Sequence, residues 1–206
     1  MKKKIGILTQ PLKQNYGGLM QAYALQLVLK RMGYEPIVVD RFPSNPRVWR
    51  KLASHIKTLI YKGLGRNRSF NYWPTILENE VISRNTDYFI SKYIRPKSER
   101  LYSHREFINY IKSFSFSTYI VGSDQVWRPQ YSPHLPTYFL DFLGINPNIK
   151  RIAYAASFGV DTWEYSKKQT RIASKLIQLF DAVSVRESSG VALCRNFLGV
   201  NAKHVL

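Results

Sequence analysis

Apolar positions in this chain come in short unbroken blocks separated by stretches of helical period. Lys4-Ile5-Gly6-Ile7-Leu8 is a block of strand length with a β-branched bias, which reads as a buried strand. From Leu19 the period changes. Leu19, Ala22, Leu25, Val28, Leu29 and Met32 recur every three or four positions, and Gly33 is placed to end the helix they predict. Pro36-Ile37-Val38-Val39-Asp40 returns to a strand block. Strand, helix and strand in so short a space predict a βαβ unit with parallel neighbouring strands.

Residues 44–68 break this alternation. Val48, Leu52, Ile56, Leu59, Ile60 and Leu64 form one apolar stripe, flanked by seven Lys and Arg residues and no acid. A second helical stretch runs from about Thr75 to Tyr93. The α/β pattern then resumes with strands at 117–121, 151–156 and 182–185. A helix is expected from about Thr162 to Phe180, another from Ser188, and a last strand from Ala202 to Leu206. The pattern predicts a single Rossmann-like α/β domain over residues 1–206, with an open, mainly parallel sheet and flanking helices. A basic helical insertion covers about residues 44–115.

Four of the strand blocks stop abruptly at small or polar residues: Thr9 to Gly18, Gly122 to Trp127, Ser157 to Gly159, and Arg186-Glu187. In an open parallel sheet all carboxyl ends share one edge, where ligands bind. Residues distant in sequence are therefore expected around one hollow. Gly17-Gly18 at the mouth of the first helix fits either close packing of the turn or anion binding at a helix N-terminus. The string is neither GxGxxG nor a Walker loop, so it does not support a dinucleotide or P-loop nucleotide. Asp124 fits a turn cap or a working carboxylate, and Trp127 fits the core. Arg186 fits an ion pair between strand and helix, or a forked clamp for phosphate or carboxylate.

Composition narrows the partners. The 206 residues are 45% hydrophobic and carry a net charge of +18, with more than half of that excess in residues 41–118. Such a balance points to anionic partners. No RNP-type aromatic motif, zinc-finger spacing or helix-turn-helix accompanies it, which makes nucleic acid the weaker choice. The one cysteine, Cys194, excludes an internal disulfide framework. His55, His104, His134 and His204 sit at no metal-ligand spacing, so no metal is expected. With no signal peptide and no membrane-length apolar run, the expected location is cytoplasmic.

Four strings, NYGGLMQAYALQ, GSDQVW, YAASFG and SVRE, occur in an order that resembles the polysaccharide pyruvyl transferase family. The resemblance covers residues 5 to about 200. It implies a two-domain architecture like that of GT-B glycosyltransferases, of which this chain looks like the N-terminal half, with a second domain to follow. It implies a cleft in which the pyruvyl group of phosphoenolpyruvate, the donor substrate, passes to sugar hydroxyls as a ketal of a surface polysaccharide. No cofactor is implied. The resemblance makes Arg186 the donor-binding arginine and Asp124 the group that orients or deprotonates the acceptor hydroxyl. Asn15, Gly17, Gly18, Gln21, Ser123, Gln125, Ser157, Phe158 and Glu187 are the expected substrate contacts. The acceptor is a saccharide, free or lipid-linked; a lipid-linked one would bring the basic stripe of 44–68 to the anionic inner face of the plasma membrane. Two other readings stay open: a nucleotide-sugar glycosyltransferase of the same architecture, and a basic membrane- or nucleic-acid-binding module.

Overall fold

The computed structural model describes residues 2–43, 56, 58, 76–132 and 134–205. Its centre is a six-stranded parallel sheet of order β2-β1-β3-β4-β5-β6. The strands are β1 (Lys4–Leu8), β2 (Glu35–Val38), β3 (Thr118–Gly122), β4 (Lys150–Ala156), β5 (Ala182–Val185) and β6 (Lys203–His204). The order reverses between β1 and β3. From β1 the chain first steps outward to β2, then returns to lay β3 on the other side of β1. That reversal is the switch point at which open α/β sheets form a crevice.

Helix α1 (Tyr16–Arg31) makes the first crossover. Asn15 caps it, its Oδ1 accepting the Gly18 N–H at 3.2 Å. The chain leaves it at Gly33, where φ is +88°. Leu19, Ala22, Leu25 and Leu29 pack on Ile5, Ile7, Val38 and Ile120. Val28 and Met32, from the same helical recurrence, are 50% and 64% exposed. They overhang an apolar groove of about 450 Å³ that runs past Ile120, Ile152 and Tyr154. Their spacing is helical, but α1 sits over the β2–β3 half of the sheet, so their side projects past its cover.

The insertion supplies α2 (Ile76–Tyr93) and α3 (His104–Lys112). Ile90 and Ile94 join the core beneath α1, while Phe107 of α3 joins the opposite layer. The α3 helix was not expected from apolar period; its signal is the Ser103–Glu106 capping box. The stripe of 44–68 lies outside the described residues, apart from Ile56 and Thr58.

The opposite face carries the larger core. Trp127, Tyr138, Phe139, Phe158 and Tyr165 fill it, together with α4 (Lys167–Ile177) and α5 (Ser188–Leu193). The expected helix from Thr162 begins instead at Lys167, because Ser166 and Gln169 form a capping box there. The residues before it place Trp163 and Tyr165 against Phe158. The loop expected after Trp127 contains two 3₁₀ turns, Leu135–Phe139 and Asp141–Leu143. Cys194 is buried and free, and burial pushes its thiol up to about 12.

Candidate functional site

Thr9 to Asn15 follow β1 and Ser123 to Trp127 follow β3, so the two loops face each other across the switch point. They line a hollow of about 380 Å³ whose walls include Gln10, Lys13, Asn15, Asp124, Gln125 and Tyr131. Gln10, Lys13 and Tyr131 escaped the sequence reading. Lys13 was legible as a cation in the first strand-end loop, whereas Tyr131 gave no signal apart from other loop tyrosines.

Asp124 is 5% exposed. Its Oδ1 accepts the Gln125 N–H at 2.7 Å, and its Oδ2 lies 3.5 Å from Asn15 Nδ2. Burial raises its pKa above the ordinary carboxylate value, while the Gln125 N–H and the nearby Arg186 charge oppose that rise. A carboxylate held this way is a stronger base than a solvated one and already faces the hollow. Ser123, just before it, has φ +58°, and Ala155 at the end of β4 has φ +48°. L-residues pay for that conformation, and such strain collects at functional sites. The buried side-chain oxygens of Thr9, Ser123 and Gln125 have no hydrogen-bond partner among the described residues.

This geometry explains one glycine of the pair. A Cβ on Gly18 would lie 2.6 Å from Asp124 Oδ2, whereas one on Gly17 would meet only Asn15 Oδ1 at 3.5 Å. Gly18 is small so that the helix mouth can approach the carboxylate. Gly17→Ala is expected to stabilise the protein by about 0.5–1 kcal/mol through helix propensity. Gly18→Ala should gain less than this or lose stability, and should displace Asp124; paired thermal melts and ligand titrations of the two variants check this.

Arg186 and Glu187 follow β5, on the same sheet edge. Arg186 Nε donates to Glu187 Oε1 at 2.8 Å, and Nη2 lies 3.3 Å from Ser157 Oγ. The ion-pair reading of Arg186 is therefore correct as far as Nε goes. The residue also lines the groove beside Gln21 and Ser123. The single hollow expected from the sequence is thus divided. Asn15, Asp124 and Gln125 line the polar side, Gln21, Ser123 and Arg186 line the groove, and the consecutive residues Ser123 and Asp124 join the two. Ser157 and Phe158 were expected to touch substrate. The structure buries them, at 0% and 3% exposure, beneath the site.

A family model for polysaccharide pyruvyl transferase matches residues 15–206. The chain belongs to that family. No curated protein matches it. The match takes in Asn15, the loops after β3, β4 and β5, and both edge residues Asp124 and Arg186. Among the described residues no group of three or more His, Cys, Asp or Glu side chains is arranged to hold a metal ion. No helix among them is long and apolar enough to cross a membrane.

A third carboxylate braces the site from behind. Asp40, two residues beyond β2, is 2% exposed; its Oδ1 accepts the Leu12 N–H at 3.0 Å, and its own N–H donates to Ser98 Oγ at 2.8 Å. Burial pushes its pKa to about 6, against opposing charges on Lys97, Arg100 and Lys13. The unfolded chain releases this proton near 3.8 and the folded chain near 6. Its contribution to stability is therefore full below about pH 4 and lost as pH rises through 6, a fall of about 3 kcal/mol. Asp40→Asn should flatten that part of the profile, measured by urea unfolding between pH 4 and 7.

Proposed function

We propose that this transferase-family chain forms one half of the site that moves the pyruvyl group of phosphoenolpyruvate onto a saccharide as a ketal, not competent by itself, with Arg186 on the donor and Asp124 on the acceptor. The observation that supports this most is their shared position. A forked cation and a buried carboxylate, from the ends of β5 and β3, lie on the same carboxyl edge, near enough for the arginine's charge to act on the carboxylate. The donor is a small dianion, bearing a carboxylate and a phosphate, and a planar guanidinium suits either group better than a lysine does.

In this reading the enol methylene of the donor takes a proton, leaving an electron-poor carbon at the adjacent position. A sugar hydroxyl attacks that carbon as Asp124 accepts its proton. Phosphate departs with the C–O bonding pair, and a second hydroxyl of the same sugar closes the ketal, giving its proton to the departed phosphate. Arg186 holds negative charge on the donor as it shifts toward the leaving phosphate. The general acid and further donor contacts belong to a second domain, in a GT-B-like arrangement that the family resemblance supports. Surface or capsular polysaccharide synthesis follows from the same resemblance.

Thermal-shift titration with phosphoenolpyruvate, a nucleoside diphosphate and a DNA duplex separates this reading from its rivals. Stabilisation by phosphoenolpyruvate alone supports it. A preference for the nucleoside diphosphate favours a glycosyltransferase, and a preference for DNA favours a basic binding module.

A further inference from the structure

Arg186 is held on one edge only. Its Nε donates to Glu187 Oε1 at 2.8 Å and its Nη2 to Ser157 Oγ at 3.3 Å. Those two atoms form the side edge of the guanidinium fork. Nη1 has no hydrogen-bond partner among the described residues, so the end edge, Nη1 with the outer hydrogen of Nη2, is open. Arg128 makes the contrast. Its side edge meets both carboxylate oxygens of Glu164, at 3.2 and 3.3 Å, as a simple surface clamp does.

Ser157 is unlike a surface serine. Its side chain is fully buried, and its hydroxyl uses its whole capacity. It donates to Glu187 Oε1 at 2.8 Å and accepts from Arg186 Nη2 and from the Gly159 N–H at 2.9 Å. Its backbone N–H donates to the Asp124 carbonyl at 3.0 Å, and its carbonyl accepts the Trp127 N–H at 3.1 Å. One buried residue on the β4 loop thereby ties the loop of Asp124 to the loop of Arg186. Glu187 Oε1 receives both the serine hydroxyl and the arginine Nε.

We infer that Glu187 and Ser157 are positioning residues: together they grip the side edge of Arg186 and aim its open end edge at an anionic ligand. This rests on the reading of Arg186 as the donor-binding arginine. It replaces the expectation that Glu187 and Ser157 touch the substrate themselves. A free arginine side chain has to be ordered when it binds, whereas one already gripped along one edge loses little more.

The inference has a signature that charge alone cannot produce. Removing the Glu187 carboxylate makes the surroundings of Arg186 more positive, so electrostatics alone has both Glu187→Gln and Glu187→Ala binding an anion more tightly. Glutamine keeps an oxygen able to accept from Nε and from Ser157, and alanine does not. Positioning therefore predicts a split. Phosphoenolpyruvate should bind Glu187→Gln as tightly as wild type or more so, and should bind Glu187→Ala and Ser157→Ala about tenfold more weakly.

Calorimetric titration of the full chain with phosphoenolpyruvate reads the affinities. The ¹⁵Nε–H signal of Arg186, assigned by its loss in Arg186→Lys, reads the positioning with no ligand present. That signal should be rigid in wild type and Glu187→Gln, and mobile in Glu187→Ala and Ser157→Ala, with each variant's melting temperature confirming that it folds. Tighter binding by Glu187→Ala overturns the inference. So does an Arg186 side chain that is mobile in wild type or unmoved by either alanine variant. A rigid Arg186 that loosens as described, in a chain that binds no phosphoenolpyruvate, leaves the positioning standing and overturns the pyruvyl-transfer reading instead.

Discussion

Arg186→Ala is expected to weaken phosphoenolpyruvate binding by about 150-fold or more, and Arg186→Lys about tenfold. Two charge-assisted hydrogen bonds from one guanidinium edge, each contributing about 1.5–3 kcal/mol, set the size of the first loss. Lysine retains the charge and loses the fork, which sets the second. The side chain is part-buried with one edge already paired, so truncation also leaves Glu187 Oε1 without its cation. Calorimetry on the two variants against wild type checks both values. Wild-type affinity in Arg186→Lys would assign this arginine to the Glu187 ion pair and nothing more.

The largest effect on stability is expected at Trp127. It is fully buried, stacks on Phe139 at 5.1 Å between centroids, and donates its indole N–H to the Tyr138 carbonyl at 3.0 Å. Its own backbone carbonyl accepts from Tyr165 Oη at 2.5 Å. Trp127→Ala should cost about 3–5 kcal/mol, through lost burial and the cavity left behind. Because Trp127 anchors the loop three residues beyond Asp124, ligand affinity should fall with stability. Trp127→Phe keeps the stacking and loses the indole hydrogen bond, so it should recover most of both. Urea unfolding of the two variants measures the first effect, and titration at low temperature the second.

The parts of the fold that were legible in the sequence are those fixed by local pattern. Strand blocks such as Ile5 to Leu8 are uniformly apolar because both faces of a central parallel strand are covered, and they were found at nearly their observed bounds. The α4 start was misplaced because apolar period continues back through Trp163 and Tyr165, which enter the core from irregular backbone. The exposure of Val28 and Met32 was not legible for a different reason: helical spacing gives the apolar residues of α1, but not how much of the sheet lies beneath them.

The site was legible as an edge and illegible as a surface. Abrupt polar stops after apolar strands put Asn15, Asp124 and Arg186 on one side of the sheet, since parallel topology leaves no other arrangement. Nothing local distinguishes a strand-end serine that touches solvent from one, like Ser157, that is buried as the joint between two loops. The division into a polar hollow and an apolar groove is likewise a product of where α1 lies. Gly18 could be suspected of serving a close approach, but its neighbour, Asp124, is more than a hundred residues away.

Mapping phosphoenolpyruvate onto the ¹⁵N-labelled chain by amide and side-chain chemical shifts tests the proposed site most directly. Saturable changes should centre on Asn15 to Gly18, Ser123 to Gln125 and the Arg186 side chain, at the carboxyl edge of the sheet. Changes confined to the opposite edge, at Lys2, Lys4 and Lys30, would show that the dianion responds only to surface charge and would contradict the assignment of the site.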